Sequence, residues 1–180
     1  MRLDFQDEIE SSSITLVAHL EKIITCLRDL QPEHWDWTPN PSAPTARVLA
    51  IHTWQWLCCD RQHILEPDFD KHIDVPEAPE STDEICAQLA EEAEHWKQLL
   101  STLTPDKMLE PRQQFGMPHN EMNVRTFYAH MVQNVIYKSG QLSMIYFALG
   151  YDGTDPYDAP FPNAIYAQAR LAREELASKN

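Results

Sequence analysis

The sequence predicts an all-α protein, a four-helix bundle with an additional C-terminal helix. Three observations carry this expectation. Only four glycines stand against abundant Leu, Ala, Glu and Gln, and the thirteen prolines cluster where helices should stop. Four long stretches repeat apolar residues at spacings of three and four, the period of a helix with one buried face. At 180 residues, with 43% hydrophobic and 23% charged, the chain reads as a single domain (1–180) able to build its own core.

The first helix covers about 3–30, with Ile9, Leu16, Leu20, Ile23, Leu27 and Leu30 in register. The loop HWDWTPNPSAP follows; Trp35 and Trp37 are too costly to leave in water, so it is expected across one end of the bundle. A second helix runs from about Thr45 to Leu65 and stops before Pro67. Residues 66–80, rich in proline and acids, read as a surface loop. Ser81-x-x-Glu84 is a capping box that opens a third helix, with Ile85, Leu89, Trp96, Leu99 and Leu103 on its buried face and Pro105 beyond. Residues 106–122 read as an extended excursion, after which Asn123 caps a fourth helix closed by Gly150. An irregular strap, DGTDPYDAPFP, precedes a last, weaker helix over about Asn163–Ser178. The four long helices are expected to pack antiparallel.

Charge narrows the function. A net charge of −14 offers no concentrated basic surface, which argues against nucleic acid and against an anionic membrane. Cys26, Cys58, Cys59 and Cys86 show no CxxC spacing, and neighbours such as Cys58 and Cys59 diverge by about 100° on a helix. They read as small core residues of a reduced protein. Asp4, Asp7, Glu8 and Glu10 stand where a signal peptide would need a basic start, and no apolar run approaches the ~20 residues of a membrane span. The chain is therefore expected to be cytoplasmic. An apolar face left over after bundle closure is expected to pair with itself as a homodimer.

The fourth helix carries the chemistry. His130, Asn134, Lys138 and Gln141, at spacings of four, four and three, project from one face beside Phe127, Met131, Val135, Leu142 and Ile145. The helix contains no Asp or Glu. In the second helix His52, Trp56, Cys59 and His63 form a similar stripe, and His52 lies in an apolar run that turns it inward. An imidazole, an amide and an ammonium facing a partly buried space point to a ligand pocket between these helices. Lys138 supplies positive charge there, or packs its stem inside while the ammonium reaches water.

WDWTPNPSAPTARVLAIHTW and YKSGQLSMIYFALG resemble two segments of the DinB/YfiT-like superfamily of four-helix bundles: its Pro-containing loop followed by a His, and its HxxxHxxGQ segment followed by Leu-Gly. The resemblance implies a divalent metal, commonly Zn²⁺ or Ni²⁺, held by one His of the second helix and two of the fourth. For some members it implies a transferase or isomerase that uses a low-molecular-weight thiol. Anchored on Gly140-Gln141, the implied ligand positions fall on His52, Asn134 and Lys138. An amide is a weak ligand and an ammonium is none.

Two readings follow. In the first, a diverged pocket lined by His52, Trp56, His130, Asn134, Tyr137, Lys138 and Gln141 binds a small molecule without the usual metal. In the second, a metal- or thiol-dependent transferase or isomerase uses His52 and His130. A structural or interaction protein, its cavity filled by Trp56 and Tyr137, is a third possibility. Glu92-x-x-His95 and Asp60-x-x-His63 have di-metal carboxylate spacing, but the fourth helix contributes no carboxylate, so Glu92 and His95 read as a solvated face. His19, His34, His72 and His119 have no convincing partners in the sequence pattern and read as surface or cap residues. No HExxH, phosphate loop or GxSxG elbow occurs.

Overall fold

A computed structural model describes residues 5–114 and 117–151, and the side chains of all of these but 5, 114 and 117–121. The expected strap after Tyr151 and the helix over Asn163–Ser178 lie outside the described residues. Four long helices appear where the apolar period places them: α1 (Phe5–Asp29), α2 (Ala46–Leu65), α3 (Thr82–Leu100) and, after a one-turn helix α4 (Pro105–Met108), α5 (Val124–Ala148).

The caps set these boundaries. The side-chain oxygens of Thr45 and Ser81 accept from the backbone N–H groups of Val48 and Glu84, closing the free ends of α2 and α3. Asn123 and Thr126 exchange side chain and backbone in a reciprocal capping box at the start of α5. At its far end Gly150 adopts φ +81. There Gly150 N–H donates to Phe147 C=O at 2.9 Å and Tyr151 N–H to Tyr146 C=O at 3.2 Å, a Schellman closure sealed by the Tyr146 and Tyr151 rings at 4.7 Å.

The helix order departs from the antiparallel expectation. Ser13 meets Tyr128, His19 meets Ser139 and Asp29 meets Tyr146, so α1 and α5 run parallel. Asp60 meets His130, while Arg112, upstream of α5, reaches the Ile64 carbonyl, so α2 and α5 are antiparallel. Arg47 reaches Glu80, just before α3, and Arg61 reaches Glu92, so α2 and α3 run parallel. The directions are thus up, down, down, up. The physical reason is the 66–80 segment, which travels back along the bundle instead of turning tightly. Gln62 pins it with two hydrogen bonds to the backbone of Ile73, at 3.0 and 2.8 Å.

The core forms one cluster in which Leu16, Leu57, Ile64, Leu89, Trp96, Met131 and Val135 are fully buried. Each such aliphatic side chain contributes roughly 1.5–3 kcal/mol by leaving water. Trp96 also keeps its indole N–H satisfied, donating to the Leu57 carbonyl at 3.0 Å. Trp35 is buried and Trp37 half-buried, so their loop does lie across one end of the bundle. Arg47 stacks over the Trp35 ring at 5.8 Å and holds Asp36 with two hydrogen bonds.

The 106–122 excursion contains α4 and an antiparallel hairpin, β1 (Pro111–Gln114) with β2 (Met117–Asn123), in the register Arg112↔Met122. Arg112 is buried and donates twice to the Ile64 carbonyl, at 2.8 and 3.2 Å, so the hairpin serves as a C-terminal cap for α2.

Candidate functional site

The polar centre of the molecule lies where α2 crosses α5. On α2, Thr53, Leu57, Asp60 and Ile64 form the buried stripe, so Asp60 is a carboxylate inside the core with 1% exposure. A buried charge of this kind requires a partner. His130 of α5 supplies it, with Nδ1 donating to Asp60 Oδ2 at 2.6 Å. That bond fixes the imidazole and leaves Nε2 as the nitrogen available to its surroundings. The Asp60 carboxylate raises the His130 pKa above its ordinary value, while burial pushes the Asp60 carboxyl upward against the pull of the imidazole.

Trp56 ties a second histidine to this pair. Its indole packs edge-on against His130 at 5.0 Å and against His52 at 6.0 Å, and its Nε1–H donates to His52 Nε2 at 2.8 Å. Accepting that bond makes His52 the neutral tautomer protonated on Nδ1. Burial, and then the charges of Lys138 and His130, lower the His52 pKa in the same sense. His52 itself stands at the exposed edge of α2, not in the interior where its apolar neighbours place it by sequence.

Along α5 a surface cavity of about 400 Å³ is lined by His130, Gln133, Asn134, Ile136 and Tyr137. Asn134 Oδ1 in this lining, and Gln141 Oε1 farther along α5, are buried without a hydrogen-bond partner among the described residues. Tyr137 is 62% exposed, accepts a hydrogen bond on its hydroxyl from Gln141 Nε2 at 3.2 Å, and has Lys138 Nζ 5.6 Å from its ring centre. Partial burial lowers the Lys138 pKa. Of the residues expected to line a pocket, His130, Asn134 and Tyr137 line this cavity, while His52, Trp56, Lys138 and Gln141 do not.

The rest of the α2 stripe does not join. His63 donates through Nδ1 to the Cys59 carbonyl at 2.7 Å and stacks on Phe127 at 4.5 Å, leaving Nε2 buried without a partner. Cys59 and His63 instead line a separate cavity of about 270 Å³ with Phe69 and His72, beneath the crossover.

Several expectations are corrected. Glu92 is no solvated residue: it is 4% exposed and receives a two-pronged ion pair from Arg61 Nε and Nη2, with His95 Nδ1 at 3.3 Å. A buried carboxylate facing α2 needed a cation, and Arg61 supplies it. His19 pairs with Ser139 at 2.7 Å, His34 with the Tyr151 hydroxyl at 2.6 Å, and His72 with the Glu66 carbonyl at 2.8 Å, so these three have partners. The side chain of His119 lies outside those described. Cys26 and Cys86 are buried, but Cys58 and Cys59 are only half-buried. Burial and then Glu92 push the Cys58 thiol up to about 12, so it is no thiolate nucleophile. Asp60 is the residue of this polar centre that the helix-four pattern misses.

The donor set does not fit a resident divalent metal. Of the positions implied by resemblance, Asn134 offers a weak amide and Lys138 an ammonium. The Nε2 lone pair of His52 is taken by Trp56, and Nδ1 of His130 is committed to Asp60. Among the described residues no three His, Cys, Asp or Glu side chains converge on a metal-sized point. Nor is any described helix long and apolar enough to cross a membrane.

The fold has close relatives in shape. The DinB-like protein YjoA of Bacillus subtilis superposes with a TM-score of 0.64 at 14% identity, over 84% of this chain and 96% of that one. A conserved protein from Enterococcus faecalis superposes with a TM-score of 0.58 at 16% identity, over 77% of this chain and 95% of that one. Comparison with curated proteins gives no match. The sequence itself matches the DinB superfamily over residues 15–142, a span that takes in α2, α3 and most of α1 and α5, and the chain belongs to that superfamily.

Proposed function

We propose that this DinB superfamily member binds a small organic molecule in the α5 cavity without a resident divalent metal, and that the Asp60–His130 pair is the proton-handling centre of that site. One observation carries the reading. His130 lines the cavity while a buried carboxylate holds its Nδ1 at 2.6 Å, which leaves Nε2 as the ring nitrogen free to serve a ligand. A carboxylate-backed imidazole is the side chain best suited to accept or donate a proton near neutral pH. The amide oxygen of Asn134, another lining residue, supports it, since it has no partner among the described residues and a ligand's hydrogen-bond donor would use it. A metal- or thiol-dependent transferase or isomerase would need His52 and His130 free toward a common point, and Trp56 occupies the acceptor of His52.

The test is a titration of a neutral fragment set against ¹⁵N-labelled protein. Amide shifts centred on His130, Gln133 and Asn134, weakened in His130→Gln, are the expected result. Shifts confined to other surfaces, or identical in the variant, would overturn the reading.

A further inference from the structure

The cavity on α5 has a chemical sign. α5 contains no Asp or Glu over 25 residues, in a chain whose net charge is −14. Its two cations differ in circumstance. Arg125 is held by Glu8 through two hydrogen bonds, at 2.8 and 2.9 Å. Lys138 has no carboxylate partner among the described residues, whereas Lys71, Lys97 and Lys107 each have one within 4.0 Å. Its Nζ instead lies 5.6 Å from the ring centre of Tyr137, a wall of the cavity. Ile136 and Tyr137 add an apolar surface.

Resting on the pocket reading above, we propose that the ligand is an organic anion, a carboxylate whose charge meets Lys138 and whose apolar body lies along Ile136 and Tyr137 toward His130. From His130 to Lys138 the helix rises roughly 12 Å, so one elongated acid can address both ends. The half-buried ammonium has lost part of its hydration without gaining a counter-charge among the described residues, and a carboxylate restores that loss. The lowered pKa of Lys138 reports the same desolvation. A cationic ligand would meet repulsion at this end, and a neutral one would leave the ammonium unpaired.

The probes are 3-phenylpropionate, 3-phenylpropanamide and 3-phenylpropylamine, titrated by ¹⁵N shifts into the wild type, Lys138→Met and Lys138→Arg. In the wild type the acid should bind about tenfold tighter than the amide, as one added charge-assisted hydrogen bond gives. The amine should bind most weakly. Lys138→Met should bring acid and amide together, and Lys138→Arg should retain the preference. Equal affinity of acid and amide in the wild type, or a preference that survives Lys138→Met, overturns the anion assignment and leaves the pocket standing. Absence of shifts at 130–137 with all three probes overturns the pocket as well.

Discussion

His130 and Asp60 form a hydrogen bond of 2.6 Å whose two ends lie in opposite environments, the carboxylate side chain 2% exposed and the imidazole 41% exposed. The pair carries polarity from the core of α2 to the surface of α5. It also gives His130 a defined orientation that an isolated surface histidine lacks.

The first prediction concerns that coupling. The Asp60 hydrogen bond raises the His130 pKa above the ordinary 6.5. A raised folded-state pKa means that the stabilisation from protonated His130 is fully present below the unfolded value and fades as pH rises through the folded one. Asp60→Asn should bring the His130 titration down, because burial alone depresses an imidazole. Proton NMR of the imidazole Cε1–H in both proteins reads this directly. An unchanged midpoint would show that the carboxylate does not govern His130.

The second prediction concerns the Arg61–Glu92 pair. Glu92 is buried to 5% side-chain exposure, and Arg61 retains 24%. Arg61→Ala strands the carboxylate and should cost about 3 kcal/mol by urea unfolding. The double change Arg61→Met with Glu92→Leu should recover most of that loss, because no unpaired charge is then left between α2 and α3. If the double variant is as unstable as the single, the pair contributes through packing and not through charge.

These two carboxylates mark the limit of what the sequence discloses. Caps at Thr45, Ser81 and Asn123 and the apolar period of α1 and α3 fix the helices to within a residue or two. Of the stripe His130, Asn134, Lys138 and Gln141, the first two line the α5 cavity, beside Gln133 and Ile136, which the stripe leaves out. Periodicity does not say which helix faces which. Glu92 therefore looks solvated until α2 lays Arg61 against it, and the parallel packing of α2 with α3 depends on how Gln62 and Arg47 pin the crossover. Asp60 was legible in principle, as the one acid on the stripe Thr53, Leu57, Ile64. A charge on a core stripe implies a buried partner, though not which one.

The third prediction sets the two α5 glycines against each other. Gly140 is mid-helix and a Cβ there would meet nothing within 4 Å, whereas Gly150 has φ +81. Gly140→Ala should stabilise by roughly 0.5–1 kcal/mol through lower unfolded-state entropy. Gly150→Ala should destabilise by about 1–2 kcal/mol, because the Schellman closure requires the left-handed conformation. Thermal melts of the two variants should move in opposite directions, and a shared direction would contradict this account of the α5 terminus.

The last prediction concerns the superfamily's metal. Two obstacles stand in this chain at the positions implied by resemblance, and they are separable. The first is the donor set, since Asn134 and Lys138 replace imidazoles with an amide and an ammonium. The second is the indole of Trp56, whose Nε1–H occupies His52 Nε2 at 2.8 Å. Wild-type protein should therefore bind Zn²⁺ or Ni²⁺ only weakly here. Asn134→His with Lys138→His supplies two imidazoles at the i, i+4 spacing that lets both reach one ion. Adding Trp56→Phe removes the competing donor while keeping an aromatic ring against His130, and should tighten binding beyond the double variant. Calorimetric titration of the three proteins, each also carrying His52→Ala as a control for adventitious surface histidines, separates the contributions. Tight, stoichiometric Zn²⁺ in the wild type that disappears with His52→Ala would show that the indole yields its place to a metal, and the metal-free reading of this site would fall.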